Sequence, residues 1–304
     1  MLRRFNVIDQ RLAEVATDPC LVSLYISPDD EERRYLVNTL KIDEHTLNSA
    51  LDPDELSRLE FEPDHVAIIF KRPKSYSYQD QFVFRVGSTG IFLFKDRLVI
   101  VISEDVPVFD GVQLMRSASP GYVMLRTIYR SIFHFLEHLR VISSISDQLQ
   151  DKINRAMENR YLINLFTLEK SLVYYLNSIN SNGVLLEKIR LNAAKFDFTR
   201  EEAELLEDTL IENTQCYRQS EIYSNILASL MDARASIVSN NINVLVKTLN
   251  VITLCIMVPT LVVSIFSMNV NIPFQHHPYA FWIILSIATG SLFGVVYFWW
   301  LKRW

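Results

Sequence analysis

The stretch VSIFSMNVNIPFQHHPYAFW (263–282) joins two apolar segments and decides the fold. From Thr248 to Leu301 the chain contains no Asp, Glu, Lys or Arg. The segments 248–268 and 279–301 are each long enough to cross a hydrocarbon core of roughly 30 Å at about 1.5 Å per residue. Buried helices of a soluble core seldom stay free of charge through both helices and the turn between them. The pattern therefore predicts two transmembrane helices joined by a loop of residues 269–278.

The cations that flank the apolar segments predict their orientation. Lys247 precedes the first segment, Lys302 and Arg303 follow the second, and the loop has neither Lys nor Arg. Since loops rich in Lys and Arg stay in the cytosol, both termini, including the basic tail 302–304, are expected there and the loop outside. We expect a multi-pass protein of the cytoplasmic (inner) membrane. The first residues, MLRRFNVIDQRLAEV, lack the apolar core of a signal peptide, so no cleaved leader is expected.

The charge balance argues against nucleic acid as a partner. The chain carries 30 Lys and Arg against 35 Asp and Glu, a net charge of −5, whereas phosphate backbones favour basic surfaces. A lipid bilayer and cations are the partners that this composition favours. Cys20, Cys216 and Cys255 are scattered, which indicates reduced packing residues rather than a disulfide framework.

Residues 1–118 have the pattern of an α/β domain. CLVSLYIS (20–27) and HVAIIFKRP (65–73) are short runs rich in branched residues, as strands are. QFVFRV, GIFLF and RLVIVIS, within 81–103, predict a meander of three strands. DEHTLNSALDPDELSRLEFEPD (43–64) predicts short polar helices and a proline-containing link.

Residues 119–247 predict a helical domain that continues as a stalk. Proline is absent between Pro120 and Pro259, and only Gly183 interrupts the helical pattern, so a break is expected there. Thr199 and Glu202 have the spacing of a capping box, which predicts a helix start. The last helix, from about Glu221, has no stop signal before the membrane and is expected to be one rod of roughly 45 residues, or about 65–70 Å.

One stripe of that rod combines polar and apolar side chains. Steps of three and four residues place them on a single helix face: Asn243, Lys247, Asn250, Leu254, Met257, Leu261, Ser264 and Met268. An amide that faces lipid is costly, so Asn250 is expected to point at a partner helix or at water. Two interpretations stay open. The stripe makes hydrogen-bonded helix contacts, or it lines a pore enclosed by a ring of identical helices.

These residues resemble a known family. NNINVLVKTLNVITLCIMVPTLVVSIFSMNVNIPFQHHPYAFW (240–282) is similar to the end of CorA-type divalent-cation channels, and ALDPDELSRLEFEPDHVAIIFKRP (50–73) resembles their N-terminal domain. The resemblance implies a homopentameric funnel with an α/β cytosolic domain, a long helical stalk and two C-terminal transmembrane helices, the first lining the pore. It also implies transport of Mg²⁺, with Co²⁺ and Ni²⁺ as further candidates, and no organic cofactor.

The resemblance places the selectivity mouth at Ser267, Met268 and Asn269, where the family has Gly-Met-Asn. Asn269 is then expected to offer its amide oxygen to a Mg²⁺ ion that keeps its water shell. Two consequences of the serine stay open. If the family's glycine has a positive φ, a serine there costs about 1–2 kcal/mol of backbone strain. If the glycine instead allows close approach of another backbone, the Cβ of the serine reshapes the mouth.

The resemblance also implies a regulatory Mg²⁺ ion between acidic groups of neighbouring cytosolic domains. Asp232, in LMDARAS, stands at the position of the family's stalk acid. Its partner is not identified, and Asp96, Glu104 and Asp105 are the candidates. An exposed carboxylate without a ligand is the competing interpretation.

Other functions stay open beside uptake of a divalent cation driven by the membrane potential. A zinc transporter would use His276 and His277, but adjacent side chains on an extended loop point apart. A membrane-anchored sensor or scaffold would not transport at all. An enzyme is disfavoured, because HFLEH, with His134 and His138, is not the H-E-x-x-H of zinc hydrolases and its apolar neighbours indicate core packing.

Overall fold

The computed structural model describes residues 1–9, 11–16, 19–76, 82–109, 119–156, 159–270, 273 and 277–302. The chain divides into two compact units, Met1–Met231 and Asp232–Trp304. The first unit contains a seven-stranded sheet and most of the helices. The second contains the end of one long helix and the last helix.

The sheet has the order β2-β1-β3-β7-β6-β5-β4. Only the pair β3–β7 is parallel, with Val22 opposite Leu98, and the other described pairs are antiparallel. The strands are β1 Leu2–Ile8, β2 Arg11–Glu14, β3 Val22–Ile26, β4 Arg58–Phe61, β5 Val66–Pro73, β6 Val86–Leu93 and β7 Leu98–Ile102. The helices are α1 Asp30–Asn38, α2 Glu44–Leu51, α3 Pro120–Ala156, α4 Asn159–Leu191, α5 Ala193–Phe196, α6 Arg200–Phe266 and α7 Ala280–Lys302.

Both faces of the sheet are covered, which gives the first unit two apolar cores. Because side chains alternate along a strand, neighbours such as Ala67 and Ile68 of β5 point into different cores. The smaller core includes Leu36 of α1 and Leu47 of α2. The larger one includes side chains of α3, α4 and the start of α6, with Tyr175 fully buried in it. The predicted α/β architecture is confirmed.

Several strand predictions were wrong in detail. The strands β1, β2 and β4 were not predicted, and β4 falls in a segment that was expected to be helix and link. QFVFRV was expected to be a strand of its own, but residues 82–85 form none and β6 begins at Val86. The two glycines of β6 suggested a turn. At Gly90 the reason for glycine is close packing, since a Cβ built there would lie 2.4 Å from the Cβ of Ala50 on α2.

The break expected at Gly183 is absent, because α4 continues through it. A Cβ built on Gly183 would lie 2.9 Å from Nδ2 of Asn213 on α6. That amide group is occupied, since Asn213 Nδ2 donates to the carbonyl of Ile179 at 3.1 Å. Glycine is therefore required for the close approach of two helices, not for a turn.

The capping box at the start of α6 is confirmed. The amide of Thr199 donates to the Glu202 carboxylate at 2.8 Å, and the amide of Glu202 donates to the Thr199 hydroxyl at 3.3 Å. The rod that was expected from about Glu221 is in fact continuous with this start. It forms one helix of 67 residues, about 100 Å long, because neither Gly nor Pro interrupts it before Pro259.

A side chain replaces a strand at one edge of the sheet. The pairing of β4 with β5 ends at Arg58 opposite Ile69. Two residues further along β5 the amide of Lys71 donates to Oδ1 of Asn182, and Nδ2 of Asn182 donates to the carbonyl of Lys71, both at 2.8 Å. The hydroxyl of Ser57 donates to the same Oδ1 at 2.8 Å. Asn182, on α4, is 1% exposed, so one amide closes the edge that β4 leaves open.

Candidate ion pathway

Two helices of the described chain are long and apolar enough to cross a membrane, α6 and α7. In the most apolar stretch of α6 none of the residues (0%) is buried, and in that of α7 the buried share is 6%. Exposed apolar surface of this extent is typical of a membrane or an interaction surface. The two predicted spans therefore correspond to the end of α6 and to α7.

Burial within the second unit shows which sides of these helices face each other. On α6 the partly covered residues recur at helical spacing: Val251, Cys255, Val258, Val262 and Phe266. On α7 the covered stripe contains Ile284, Ala288, Ser291 and Val295, with Ala288 6% exposed. Since the described part of this unit contains only these two helices, we infer that the two stripes face each other.

The predicted polar and apolar stripe lies on another side of α6. At 3.6 residues per turn its centre is about 120° around the helix from the side that faces α7. All its residues are exposed: Asn243, Lys247, Asn250, Leu254, Met257, Leu261, Ser264 and Met268. No described residue bonds to the side-chain amides of Asn243 and Asn250. The stripe is thus free to face water or another copy of the chain.

Two threonine hydroxyl groups in the apolar part of α6, outside the stripe, are satisfied within the helix. Thr253 donates to the carbonyl of Leu249 at 2.9 Å, and Thr260 donates to that of Ile256 at 2.6 Å. Such bonds let threonine lie in an apolar environment without a partner from another helix. The side-chain amides of the asparagines in the stripe make no such bond within the helix, which distinguishes them from these threonines.

The predicted mouth residues Ser267, Met268 and Asn269 directly follow the last residue of α6. The amide and the hydroxyl of Ser267 both donate to the carbonyl of Ser264, at 3.2 and 2.9 Å. Ser267 is not among the residues with positive φ, so the strain considered for the serine does not arise. Met268 and Asn269 follow as exposed residues. Within the described residues the Asn269 amide has no partner and is free to bind a ligand.

The loop histidines do not form a metal centre in the described residues. His277 is exposed, and its Nδ1 accepts from the amide of Tyr279 at 3.2 Å, just before α7 begins. His276 lies outside the described residues. No group of three His, Cys, Asp or Glu suitable for a metal ion occurs in the part of the chain that the structure describes.

The candidate regulatory acids have different surroundings. Asp232 is exposed on α6. Asp96 pairs with Arg97 and Asp105 with Arg3, each at 3.6 Å, and Glu104 pairs with Lys74. Each of the three acids of the first unit thus has a cation of its own chain beside it. These surface pairs are weak, so they would compete only modestly with a divalent ion.

Of the two histidines of HFLEH, His138 is a packing residue, as expected. His138 is 7% exposed, and its Nδ1 lies 2.6 Å from the hydroxyl of Tyr175. Burial, with a smaller contribution from the neighbouring His134, lowers the pKa of His138 to about 4. Its ring is therefore neutral at pH 7 and belongs to the larger core.

Comparison with known proteins identifies the family of the chain. The model of the family described as CorA-like Mg²⁺ transporter protein matches residues 24–303. The chain belongs to this family. The family is one of transporters rather than enzymes, and its members are membrane proteins, in accord with the two apolar helices.

Individual relatives match over nearly the whole chain. The cobalt/magnesium transport protein CorA of Methanocaldococcus jannaschii is 25% identical over 96% of this chain and 94% of its own. The complete structure of the CorA magnesium transporter from that organism superimposes with a TM-score of 0.83 at 20% identity, covering 98% of this chain and 97% of the other. The full-length CmaX protein has the same fold, with a TM-score of 0.71 at 14% identity and coverage of 100% and 98%.

Proposed function

We propose that this chain assembles into a homopentamer in the cytoplasmic membrane and conducts divalent cations, chiefly Mg²⁺, into the cell. The exposed stripe of α6 carries the proposal: it combines asparagine amides with Leu and Met, and it lies away from α7. One helix cannot enclose a conduit, whereas a ring of identical helices can, each contributing the same stripe. Membership of the CorA-like family supports transport as the activity.

The proposed driving force is the membrane potential. For a doubly charged ion an inside-negative potential supplies about 4.6 kcal/mol per 100 mV. Both termini and residues 1–247 are proposed to lie in the cytosol, with the loop 269–278 outside. Two features of the sequence support this orientation. Lys247 precedes the apolar part of α6, and Lys302 and Arg303 follow Leu301.

The proposed entrance is the ring of Asn269 side chains. Mg²⁺ loses its water shell reluctantly, so neutral amide oxygens suit it, since they accept hydrogen bonds from the bound waters without trapping the ion by full charge. The exposed, unpartnered amide of Asn269 just beyond α6 supports this role.

Ion flux into liposomes tests the function. The full-length protein should admit Mg²⁺, and Co²⁺, Ni²⁺ and Zn²⁺ compared with and without a proton gradient reveal ion preference and coupling. Asn269→Ala should lower Mg²⁺ flux at least about tenfold, the equivalent of ~1.4 kcal/mol in the barrier. Ser267→Gly should keep flux, since it removes only the short side chain whose hydroxyl donates to the carbonyl of Ser264.

Asn241→Ala is the matched control, because Asn241 is equally exposed on α6 but lies on the side opposite the stripe. Its flux should equal that of the parent. Equal flux in the Asn269 variant would place the ion contact elsewhere. No flux of any divalent ion, or a monomer by mass measurement in mild detergent, would leave a membrane-anchored sensor as the better function.

We also propose that Mg²⁺ bound near Asp232 favours the closed arrangement. Carboxylates of neighbouring subunits repel each other, and a divalent ion between them relieves that repulsion. Asp232→Lys supplies a fixed cation, so the stalk should resist protease without added Mg²⁺. Asp147→Lys makes the same charge change at an exposed position of α3 and should keep the Mg²⁺ dependence of the parent. Equal dependence in both variants would exclude Asp232 as a ligand.

A further inference from the structure

The first unit contains a cavity of about 110 Å³ that the transport model does not use. It lies between β5, the segment after β7, and α3. Its lining combines one aromatic and two aliphatic side chains with two arginines, a histidine, a glutamate and two hydroxyl groups: Phe70, Arg72, Pro107, Val108, Thr127, Arg130, Ser131, His134 and Glu137. A cavity of this size has room for roughly four water molecules at about 30 Å³ each.

Arg72 lines this cavity as a buried cation that has no counterion among the described residues. It lies two residues after Phe70 on β5 and therefore projects from the same face of the sheet, into the larger core and toward α3. Its side chain is 8% exposed, and its buried Nε has no hydrogen-bond partner. Burial lowers the pKa of Arg72 to about 10, so it is still charged at pH 7.

The described acids that line this cavity or its neighbour each pair with another cation. Glu137 binds Arg130, with Oε1 3.2 Å from Nη1. Glu104 lines a smaller neighbouring cavity that Arg72 also borders, and it pairs with Lys74. His134 also lines the cavity. Its ring is neutral at pH 7, because burial and, to a smaller extent, the charge of Arg72 lower its pKa. The cavity therefore has a net positive charge.

An uncompensated buried charge is costly, and proteins normally pair it. The planar guanidinium group of arginine matches oxyanions, to which it donates two parallel hydrogen bonds. A hydroxyl donor is also at hand, since Ser131 makes only a long 3.4 Å bond to the carbonyl of Lys71. Releasing that bond would let Ser131 donate into the cavity.

We propose that this cavity binds a small oxyanion of the phosphate type, with Arg72 as its principal ligand and Ser131 as an additional donor. The anion supplies the missing counterion and links β5 to α3. This site lies in the first unit, and its occupation is independent of whether the second unit conducts ions.

Calorimetric titration of the full-length protein with inorganic phosphate tests the proposal, at constant ionic strength with chloride as the balancing anion. The parent should bind one phosphate per chain, and sulfate should compete with it. Arg72→Met should weaken binding by at least about tenfold, or ~1.4 kcal/mol. Arg140→Met, the same charge change at an exposed position of α3, should bind as the parent does.

Arg72→Lys is the second variant, since it keeps the buried charge and with it the fold, but loses the planar donor pair. It should also bind phosphate more weakly than the parent. Phosphate binding that is unchanged in both Arg72 variants would overturn the proposal. So would a parent that binds neither phosphate nor sulfate, or that binds chloride equally well. Ion flux is not part of this measurement, so its outcome is separate from that of the transport test.

Discussion

The two stretches of α6, 200–231 and 232–266, belong to one helix but differ in what covers them. The first buries a stripe at helical spacing that includes Leu205, Leu206, Leu210, Cys216 and Leu227. The second, which the structure describes throughout, has no buried residue, although it is the more apolar of the two. The first stretch is thus covered by its own chain, whereas the second needs cover from outside: lipid on some sides and, in our proposal, other copies on the stripe.

The largest effect that separates the two stretches is expected from paired leucine truncations. Leu206 is 2% exposed and Leu261 is 62% exposed. Leu206→Ala leaves a cavity in the larger core and should lower the free energy of unfolding by about 2–5 kcal/mol. Leu261→Ala removes a side chain that the chain itself does not cover, so unfolding of the first unit should not change.

Denaturant unfolding of both variants in the same detergent measures this difference. Leu261→Ala should instead alter the yield of oligomer or the Mg²⁺ flux. If the two truncations destabilise the first unit equally, the second stretch is packed against the first unit's core and the contrast between the stretches is wrong.

The second effect concerns the pH dependence of stability, which arises from a buried histidine in the first unit. The ordinary pKa of histidine is 6.5, and that of His138 is lowered to about 4 by burial and then by His134. Between these values the unfolded chain binds a proton that the folded chain does not. The stability that neutral His138 contributes is therefore present above pH 6.5 and is lost as the pH falls toward 4, by about 3 kcal/mol over the full interval.

His138→Gln isolates this contribution, because glutamine also offers a polar group to Tyr175 but does not titrate. Unfolding free energies of parent and variant, measured from pH 7 to 4, should diverge, with the steeper loss in the parent. Parallel curves would mean that protonated His138 is tolerated in the core.

The smallest effect is expected from a glycine-to-alanine substitution made once in each of the two compact units. Gly183→Ala places a Cβ 2.9 Å from Nδ2 of Asn213, whereas Gly290→Ala on α7 meets nothing within 4 Å. The first should destabilise the protein by about 1 kcal/mol through the forced shift of the asparagine. The second should be neutral or slightly stabilising, since alanine favours helix over glycine. Thermal unfolding compares them, and a more harmful Gly290→Ala would show that α7 is closely packed against a partner at that point.

The sequence predicted those parts of the fold whose signals are local. The charge-free run, the capping box at Thr199 and the α/β pattern depend on neighbouring residues and were confirmed. The strand β1 was missed because LRRFNVI, with two arginines, has no clear alternation, and its pairing with residues 22–25 depends on contacts that are distant in the chain. Gly90 and Gly183 were misinterpreted for the same reason, since each is required by a helix that packs on it from elsewhere.

The candidate pathway was predicted in part. Helical periodicity placed the stripe on one face of α6, but the sequence did not indicate that α7 would cover a different face. Ser267 could not be interpreted without its backbone conformation, which turned out to carry no positive φ. The burial of Arg72 was not predicted, because a single arginine in a strand gives no sign of whether its side chain is buried.

The amide of Asn182 also bears on how the protein avoids aggregation. An open sheet edge is a template for pairing with strands of other molecules, and proteins protect such edges. Here β4 is too short to cover all of β5, and the uncovered backbone groups of Lys71 are taken by Asn182 instead. Proline at position 73 then ends the edge with a residue that has no amide hydrogen. A side chain on a helix thus takes the hydrogen bonds that a strand of another molecule would otherwise make with this edge.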